Sequence, residues 1–280
     1  MNHISQRILS TLLLPVAVAA CSDASTSPGS STSKQVTVNF STVALASGAV
    51  SRDLSRSVAR DVSSAGAADS LVIAGTNGTL VINDVHFVVS KFELKRADVD
   101  CDSVAHEDDC ERFRAAPSFL ALPLNGGTVT AVSQEVPVGS YRKLKFEVKD
   151  FEVDDDGDAE EAQQTQSLLA TVRQAYPDWP EKASMVVAGS YTPAGDSTAV
   201  PFRAYFKAEI NIEKEFNPPL EIAATDASRS LSVVIDPTAW FKRGDGSVVD
   251  LSAYDYQHTS QLVEFEVEME HGFGDVHDEN

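Results

Sequence analysis

The sequence predicts a mainly β protein, an antiparallel β-sandwich with one or two short helices. Short runs in which apolar and polar residues alternate recur along the chain from residue 35 onward. Turns rich in Gly, Pro and Asn separate these runs at fairly regular intervals, and one segment near the middle has helical spacing. Many short strands with one or two helices are typical of two packed sheets.

The first predicted strands include a hairpin. Residues 35–40 alternate apolar and polar side chains, as a half-buried strand does. The apolar run 71–75 meets a turn at Asn77-Gly78, and both residues accept the positive φ that tight hairpin turns require. Residues 79–95 then predict either two strands or one long bent strand.

One helix interrupts the later strands. Glu160 to Tyr176 carries Leu168, Leu169 and Val172 at helical spacing, and the prolines that follow end the helix. The C-terminal segment fits a strand or a helix, because its apolar residues satisfy both periods. The remaining strands are predicted at 119–124, 128–132, 141–148, 185–189, 202–212, 220–223 and 231–235.

An export signal and a lipid anchor are predicted at the N-terminus. Residues 1–20 hold one basic residue, Arg7, followed by an apolar run too short to span a bilayer. The ending Val18-Ala19-Ala20-Cys21 resembles the lipobox of bacterial lipoproteins, which implies that the Cys21 thiol is acylated. Ser22 is not an aspartate that would retain the protein in the inner membrane, so an envelope location on the outer membrane is expected.

The rest of the chain divides into two predicted parts. Residues 21–34 are polar and form a flexible tether that separates the folded domain from the lipid headgroups. Residues 35–280 form a single β-sandwich domain, in which an acidic loop and the helix occupy about residues 150–180.

Two cysteines are available for a disulfide. Cys101 and Cys110 flank a polar loop, and in an oxidising envelope such a pair is expected to be bonded. A metal site of these two cysteines with His106 and a carboxylate is the alternative, although the spacing matches no common zinc pattern.

The acidic loop is the candidate metal site. Carboxylates occupy alternate positions along this loop, at Glu152, Asp154, Asp156 and Asp158, and Gly157 precedes the last of them. Calcium prefers carboxylates that converge in this way. The loop departs from the EF-hand pattern, because its first position is Glu, its twelfth is not the bidentate Glu, and an entry helix is missing. A solvated acidic loop is the alternative, and beyond calcium no cofactor is expected.

Charge and motifs exclude several function classes. The formal net charge of −20 repels nucleic acid and anionic lipid, so neither is expected as a ligand. The sequence contains no nucleophile elbow, zinc-protease helix, phosphate loop or dinucleotide fingerprint, which predicts a protein that is not an enzyme. Trp240 and Phe241 fit either a sugar-stacking platform or a buried anchor between sheets.

The middle of the chain resembles a family of uncharacterised bacterial envelope lipoproteins. That family implies a β-sandwich similar to carbohydrate-binding and prealbumin-like modules, a helix at the C-terminus, and no assigned activity. The resemblance rests on segments in order between residues 70 and 245: Val85–Arg96, Asp108–Glu111, Leu122–Leu124, Val136–Tyr141, Lys145–Glu147, Tyr176–Pro180, Gly189–Tyr191, Asn217–Glu221 and Trp240-Phe241.

A more distant similarity is to periplasmic copper-binding lipoproteins associated with methanobactin. It rests on residues 87–94 and on the turn at Pro137-Val138-Gly139. The histidines of such a copper site have no clear counterparts in this sequence, which argues against copper.

Two functional hypotheses follow. The first is a membrane-anchored, non-enzymatic binding or structural module whose partner is a glycan or an envelope protein. The second is a lipoprotein that binds calcium or another metal through the acidic loop 150–161.

Overall fold

A computed structural model of the chain describes residues 33–42, 70–97, 112–124, 126–151, 159–264 and 272–278. Within these ranges the chain forms thirteen strands and three short α-helices. The strands are β1 (Ser33–Thr42), β2 (Leu71–Gly75), β3 (Gly78–Arg96), β4 (Arg112–Ala115), β5 (Ser118–Ala121), β6 (Thr128–Pro137), β7 (Gly139–Val148), β8 (Met185–Pro193), β9 (Val200–Lys207), β10 (Ile210–Ile222), β11 (Ser228–Ile235), β12 (Val263–Glu264) and β13 (Phe273–Asp278). The helices are α1 (Ala159–Ala175), α2 (Pro237–Phe241) and α3 (Tyr256–Thr259).

Two sheets make the predicted sandwich. The small sheet has four strands in the order β13-β11-β1-β6. The large sheet follows the order β10-β7-β3-β8-β9-β12, and β2, β4 and β5 also pair with β3. The sandwich is confirmed, but it is not wholly antiparallel, because β1 pairs in parallel with β11 and β12 pairs in parallel with β9. Parallel partners require long connections, and each of these pairs is far apart in the chain.

The alternation seen in the sequence places the core between the sheets. Val36, Val38 and Phe40 on β1 are buried, and their neighbours along the strand are not. The Phe40 ring lies 5.2 Å from that of Phe146 on β7 and 5.9 Å from that of Phe87 on β3. Three strands from two sheets therefore meet at one aromatic contact.

The strand β3 is the central strand of the large sheet, because five other strands pair with it. It is one strand of 19 residues, so the long bent strand is the correct alternative for residues 79–95. Its register shifts between Ile82 and Asp84 against β8, and between Val89 and Lys91 against β7. Each such bulge bends the strand and turns the following side chains to the other face.

Trp240 and Phe241 are core residues. Asp236 caps α2 by accepting a hydrogen bond from the backbone N–H of Thr238, and this turn directs both aromatic side chains inward. They are 1% and 0% exposed, so the sugar-stacking platform is wrong and the buried anchor is correct. Gly272 lies against the indole so closely that a Cβ there would be 1.9 Å from Nε1 of Trp240.

The ends of the domain differ slightly from the prediction. The strand β1 begins at Ser33, two residues inside the predicted tether. The C-terminal residues that the structure describes form strands, at Val263–Glu264 and Phe273–Asp278, where the family resemblance implied a helix. Val263 is buried and pairs with Phe206 of β9, so pairing at a sheet edge fixes the start of the ambiguous segment as a strand, and its residues 265–271 lie outside the described residues. The described helices include none with the length and apolar character needed to cross a membrane.

Candidate functional site

A second apolar cluster lies on the outside of the large sheet. Val88, Val186 and Tyr205 face outward from β3, β8 and β9, because their chain neighbours Phe87, Val187 and Phe206 fill the core. The helix α1 and the segment after it cover these outward residues with Val172, Tyr176, Trp179 and Ala183. The Tyr-Pro-Asp-Trp-Pro sequence that ends the helix thus supplies aromatic side chains to this face.

A polar network borders this apolar cluster, and we call it the tyrosine–aspartate cluster. Its members come from β3, from the segment after α1 and from β9, and each is hydrogen-bonded or packed to another: Asp84, His86, Tyr176, Asp178, Arg203 and Tyr205. Strands hold Asp84, His86, Arg203 and Tyr205, and the turn that follows α1 holds Tyr176 and Asp178.

The first half of the network joins Tyr176, Asp84 and His86. The Tyr176 hydroxyl donates to Oδ2 of Asp84 at 2.9 Å, and Nδ1 of His86 lies 2.9 Å from both the Tyr176 oxygen and Oδ1 of Asp84. Because the tyrosine proton is given to the carboxylate, Nδ1 of His86 faces two acceptors. In the neutral imidazole Nδ1 therefore carries the proton and Nε2 keeps a lone pair, whereas both nitrogens are donors in the protonated ring.

The ring of His86 is held in place from the side. It stacks on Phe119 of β5 with 5.1 Å between ring centroids and 16° between planes, and it meets Tyr176 edge-on at 5.6 Å. The imidazole side chain is 21% exposed. Orientation by a carboxylate at Nδ1 and a partly exposed ring suit this histidine to accept a hydrogen bond or coordinate a ligand.

The second half of the network joins Tyr205, Asp178 and Arg203. The Tyr205 hydroxyl donates to Oδ1 of Asp178 at 2.7 Å, and Nη1 of Arg203 lies 3.7 Å from the same oxygen. The guanidinium carbon of Arg203 is 5.7 Å from the centroid of the Tyr176 ring, a cation–π distance. Arg203 therefore connects the two halves.

The electrostatics fix the protonation states of this cluster. Burial alone would raise the pKa of Asp84, but the hydrogen bond and charge of His86, the Tyr176 hydroxyl and the charge of Arg203 together hold that pKa below its ordinary value. Burial, then the neighbouring carboxylate, strongly raises the pKa of Tyr176, and the same causes act on Tyr205 with Asp178. At neutral pH the tyrosines are donors and Asp84 is an ionised acceptor.

The outer rim of the cluster is open to solvent, and its floor is not. The side chains of Asp84, Asp178 and Arg203 are 40%, 34% and 39% exposed. Beneath them, Trp179 is 4% exposed, and its Nε1 has no hydrogen-bond partner among the residues that the structure describes. A rigid aromatic floor with charged groups of both signs at its rim can recognise a small polar molecule.

The predicted site residues lie elsewhere in the chain. Cys21, Cys101, Cys110 and the acidic residues Glu152, Asp154, Asp156 and Asp158 are outside the described residues. Within the described ranges, no group of three or more His, Cys, Asp and Glu is arranged to hold a metal ion. The sequence predicts a strand at His86 and the end of a helix at Tyr176 to Pro180, but no local pattern indicates that these two segments are in contact.

Comparisons with known proteins give one distant likeness. No family model and no curated protein matches the sequence. Among solved structures, MbnP from Methylosinus trichosporium is similar over 89% of this chain and 99% of that chain, with 13% sequence identity and a TM-score of 0.37. The distant methanobactin-associated similarity is thus also found by structure, at a level that supports no argument about activity. The family of uncharacterised envelope lipoproteins stays a prediction.

Proposed function

We propose that this chain is a lipid-anchored envelope protein whose β-sandwich is a non-enzymatic binding module, and that the tyrosine–aspartate cluster binds a small polar ligand. The observation that carries the proposal is the orientation of His86. Its Nδ1 is committed to Asp84 and Tyr176, so the ring is oriented before any ligand arrives, and Nε2 of the neutral imidazole is left as an acceptor. Such preorganisation lowers the entropy lost on binding.

The rim favours a ligand that brings hydrogen-bond donors. Nε2 of His86 and the outer lone pairs of Asp84 and Asp178 are acceptors, and Arg203 is the donor among them. Both aspartates already accept a tyrosine proton on one oxygen, so each has acceptor capacity left. A hydroxyl-rich or amine-bearing molecule matches this arrangement.

A binding role is favoured over catalysis by what surrounds His86. In the described part of the chain, the hydrogen bonds of His86 run to a carboxylate and a phenol, and neither is a nucleophile of the Ser, Thr or Cys type. A histidine whose described hydrogen-bond partners include no hydroxyl or thiol nucleophile of that type supports recognition better than covalent chemistry.

Calorimetric titration of the full chain tests the ligand site. The panel holds neutral monosaccharides, amino acids, small amines and calcium chloride. His86→Asn keeps a polar group near Nδ1 and removes Nε2, and we expect it to weaken binding at least tenfold. His277→Asn is the matched control, because that imidazole is exposed on β13, outside the tyrosine–aspartate cluster.

Two results would contradict this assignment. One is equal affinity in the wild type and in His86→Asn, and the other is no binding by any member of the panel. Calcium binding that survives in His86→Asn and is lost on changing Asp154, Asp156 and Asp158 to Asn would instead support the acidic loop.

Metabolic labelling with an alkyne analogue of palmitate tests the anchor. When the chain is expressed in a bacterium with an outer membrane, Cys21→Ala is expected to lose the label and to leave the membrane fraction. Cys101→Ala is expected to keep both. A label that survives in Cys21→Ala would exclude lipidation at that thiol.

A further inference from the structure

An open side of the sandwich carries a groove outside the tyrosine–aspartate cluster. The strand β13 ends the small sheet and β10 ends the large sheet, and in the described part of the chain no further strand pairs with the outer edge of either. The groove lies between these two strands and has a volume of about 700 Å³. It is lined by residues 213–221 of β10 and 276–278 of β13, and we call it the edge groove.

The two strand edges beside this groove differ in their ability to pair with a further strand. The register of β10 against β7 shifts between Glu215 and Leu220, so residues 216–219 bulge from the sheet. Two of them, Pro218 and Pro219, have no backbone N–H to donate. The strand β13 is six residues long and contains no proline. A strand that enters the groove is therefore able to pair with β13 and not with this part of β10.

The floor of the edge groove is apolar and its rim is acidic. Phe216 and Val276 line the groove and pack against the core, and Leu220 of the same lining is 6% exposed. The carboxylates of the lining are all exposed and belong to Glu213, Glu215, Glu221 and Asp278. Lysine and arginine suit such a groove, because their methylene stems cover apolar surface while their charged ends reach carboxylates.

Cations of the protein neutralise this rim only in part. Those beside the four carboxylates are Lys143, Lys214 and Arg229. The Lys143 ammonium lies 2.7 Å from Glu213 and 3.8 Å from Glu215, so one charge serves two carboxylates. No described cation forms an ion pair with Glu221. The rim therefore stays negative, and the net charge of −20 repels a second copy of this chain and attracts a basic partner.

We propose that the edge groove binds an extended basic segment of another protein, which adds a strand to β13. Backbone hydrogen bonds to β13 hold the segment in place. Side chains of a strand alternate between its faces, so Lys or Arg at every second position points into the groove. Their stems lie over Phe216 and Val276, and their charges reach the rim carboxylates. A segment of about six residues matches the length of β13.

Fluorescence anisotropy of a labelled peptide, titrated with the full chain, tests this proposal. The probe has the sequence Lys-Thr-Lys-Thr-Lys-Thr-Lys, and we expect saturable binding that weakens as salt is added. The same peptide N-methylated at every residue keeps its charge and loses its backbone donors, so it should bind at least tenfold more weakly. Spermine at equal charge concentration should not displace the probe.

Substitutions at the rim locate the binding. Glu215→Gln with Glu221→Gln removes two exposed charges with little change in shape, and we expect the probe to bind at least fivefold more weakly at an unchanged melting temperature. The matched control is Glu181→Gln with Glu209→Gln, because both side chains are exposed and neither lines the edge groove. His86→Asn should bind the probe as the wild type does, since it alters only the tyrosine–aspartate cluster.

Four results would overturn the proposal. Two concern the peptides, namely no binding of the probe by the wild type and equal binding of the N-methylated form. The third is wild-type affinity in the variant that lacks the Glu215 and Glu221 charges. The fourth is displacement of the probe by spermine, because it would show that the groove captures cations without pairing to a strand.

Discussion

Removing the hydroxyl of Tyr176 is expected to destabilise the fold by about 1.5 kcal/mol. That hydroxyl donates to Asp84 and lies beside Nδ1 of His86, both at 2.9 Å. A hydrogen bond to a charged group contributes about 1.5–3 kcal/mol, and the lower value applies because Asp84 is 40% exposed and water replaces part of the loss. For a chain of this length, Tyr176→Phe should then lower the melting temperature by about 3–6 °C.

The pH dependence of this loss identifies its cause. The folded pKa of Asp84 is held below its ordinary value of 3.8, so its contribution to stability is present above that value and is lost as pH falls through the folded pKa. Tyr176→Phe removes one of the causes of that lowering. The stability difference between wild type and variant should therefore be largest near about pH 7 and should shrink as the pH falls below 3.8 and through the folded pKa.

Urea unfolding of both proteins across this pH range is the measurement. Tyr254→Phe serves as the control, because Tyr254 is 37% exposed and lies outside the tyrosine–aspartate cluster. A stability difference that is the same at both ends of the pH range would refute the role assigned to Asp84. No difference at neutral pH would refute the hydrogen bond itself.

Three further predictions concern other parts of the molecule. The folded pKa values of Tyr176 and Tyr205 are raised, so the stability that these residues contribute is lost above about pH 10. The melting temperature of the wild type should therefore fall between neutral and alkaline pH, and that of Tyr205→Phe should fall less steeply. An equal fall in the two proteins would contradict this. Gly272→Ala should cost about 1–3 kcal/mol of unfolding free energy by overpacking against Trp240. Gly244→Ala, where no described side chain or backbone atom lies within 4 Å of the added Cβ, should cost much less in the same urea experiment. Mass spectrometry after alkylation without reductant should leave Cys101 and Cys110 unmodified, and two alkylated thiols would exclude the disulfide.

The fold class followed from local patterns, and its topology did not. Alternation in β1 and β7 identified strands and their buried faces, since burial on one side of a sheet imposes a period of two. The parallel pairing of β1 with β11 has no local signal, because it depends on two segments about 190 residues apart. The Trp240 side chain illustrates the same limit, since its sequence context fits an exposed platform as well as a buried anchor.

The candidate site was hidden from the sequence for a related reason. Asp84 and His86 face outward only because of the bulge after Ile82, and periodicity alone does not locate a bulge. Their partner Tyr176 is about 90 residues away. The one usable signal was the density of Tyr, Asp and Trp in residues 176–179, more polar and aromatic than a helix stop requires.

The position of β1 also governs when this protein is able to fold. Gln35 on β1 pairs with Ser228 on β11. The strand β1 leaves a ribosome or a translocation channel long before β11 does, so it cannot complete its pairing until β11 has also emerged. Until then β1 has only β6 beside it, and its buried Val36, Val38 and Phe40 lack half of their sheet. A chain truncated before β11 is therefore expected to expose this apolar edge and aggregate, and folding is expected to be slow because the pairing of β1 with β11 joins segments about 190 residues apart.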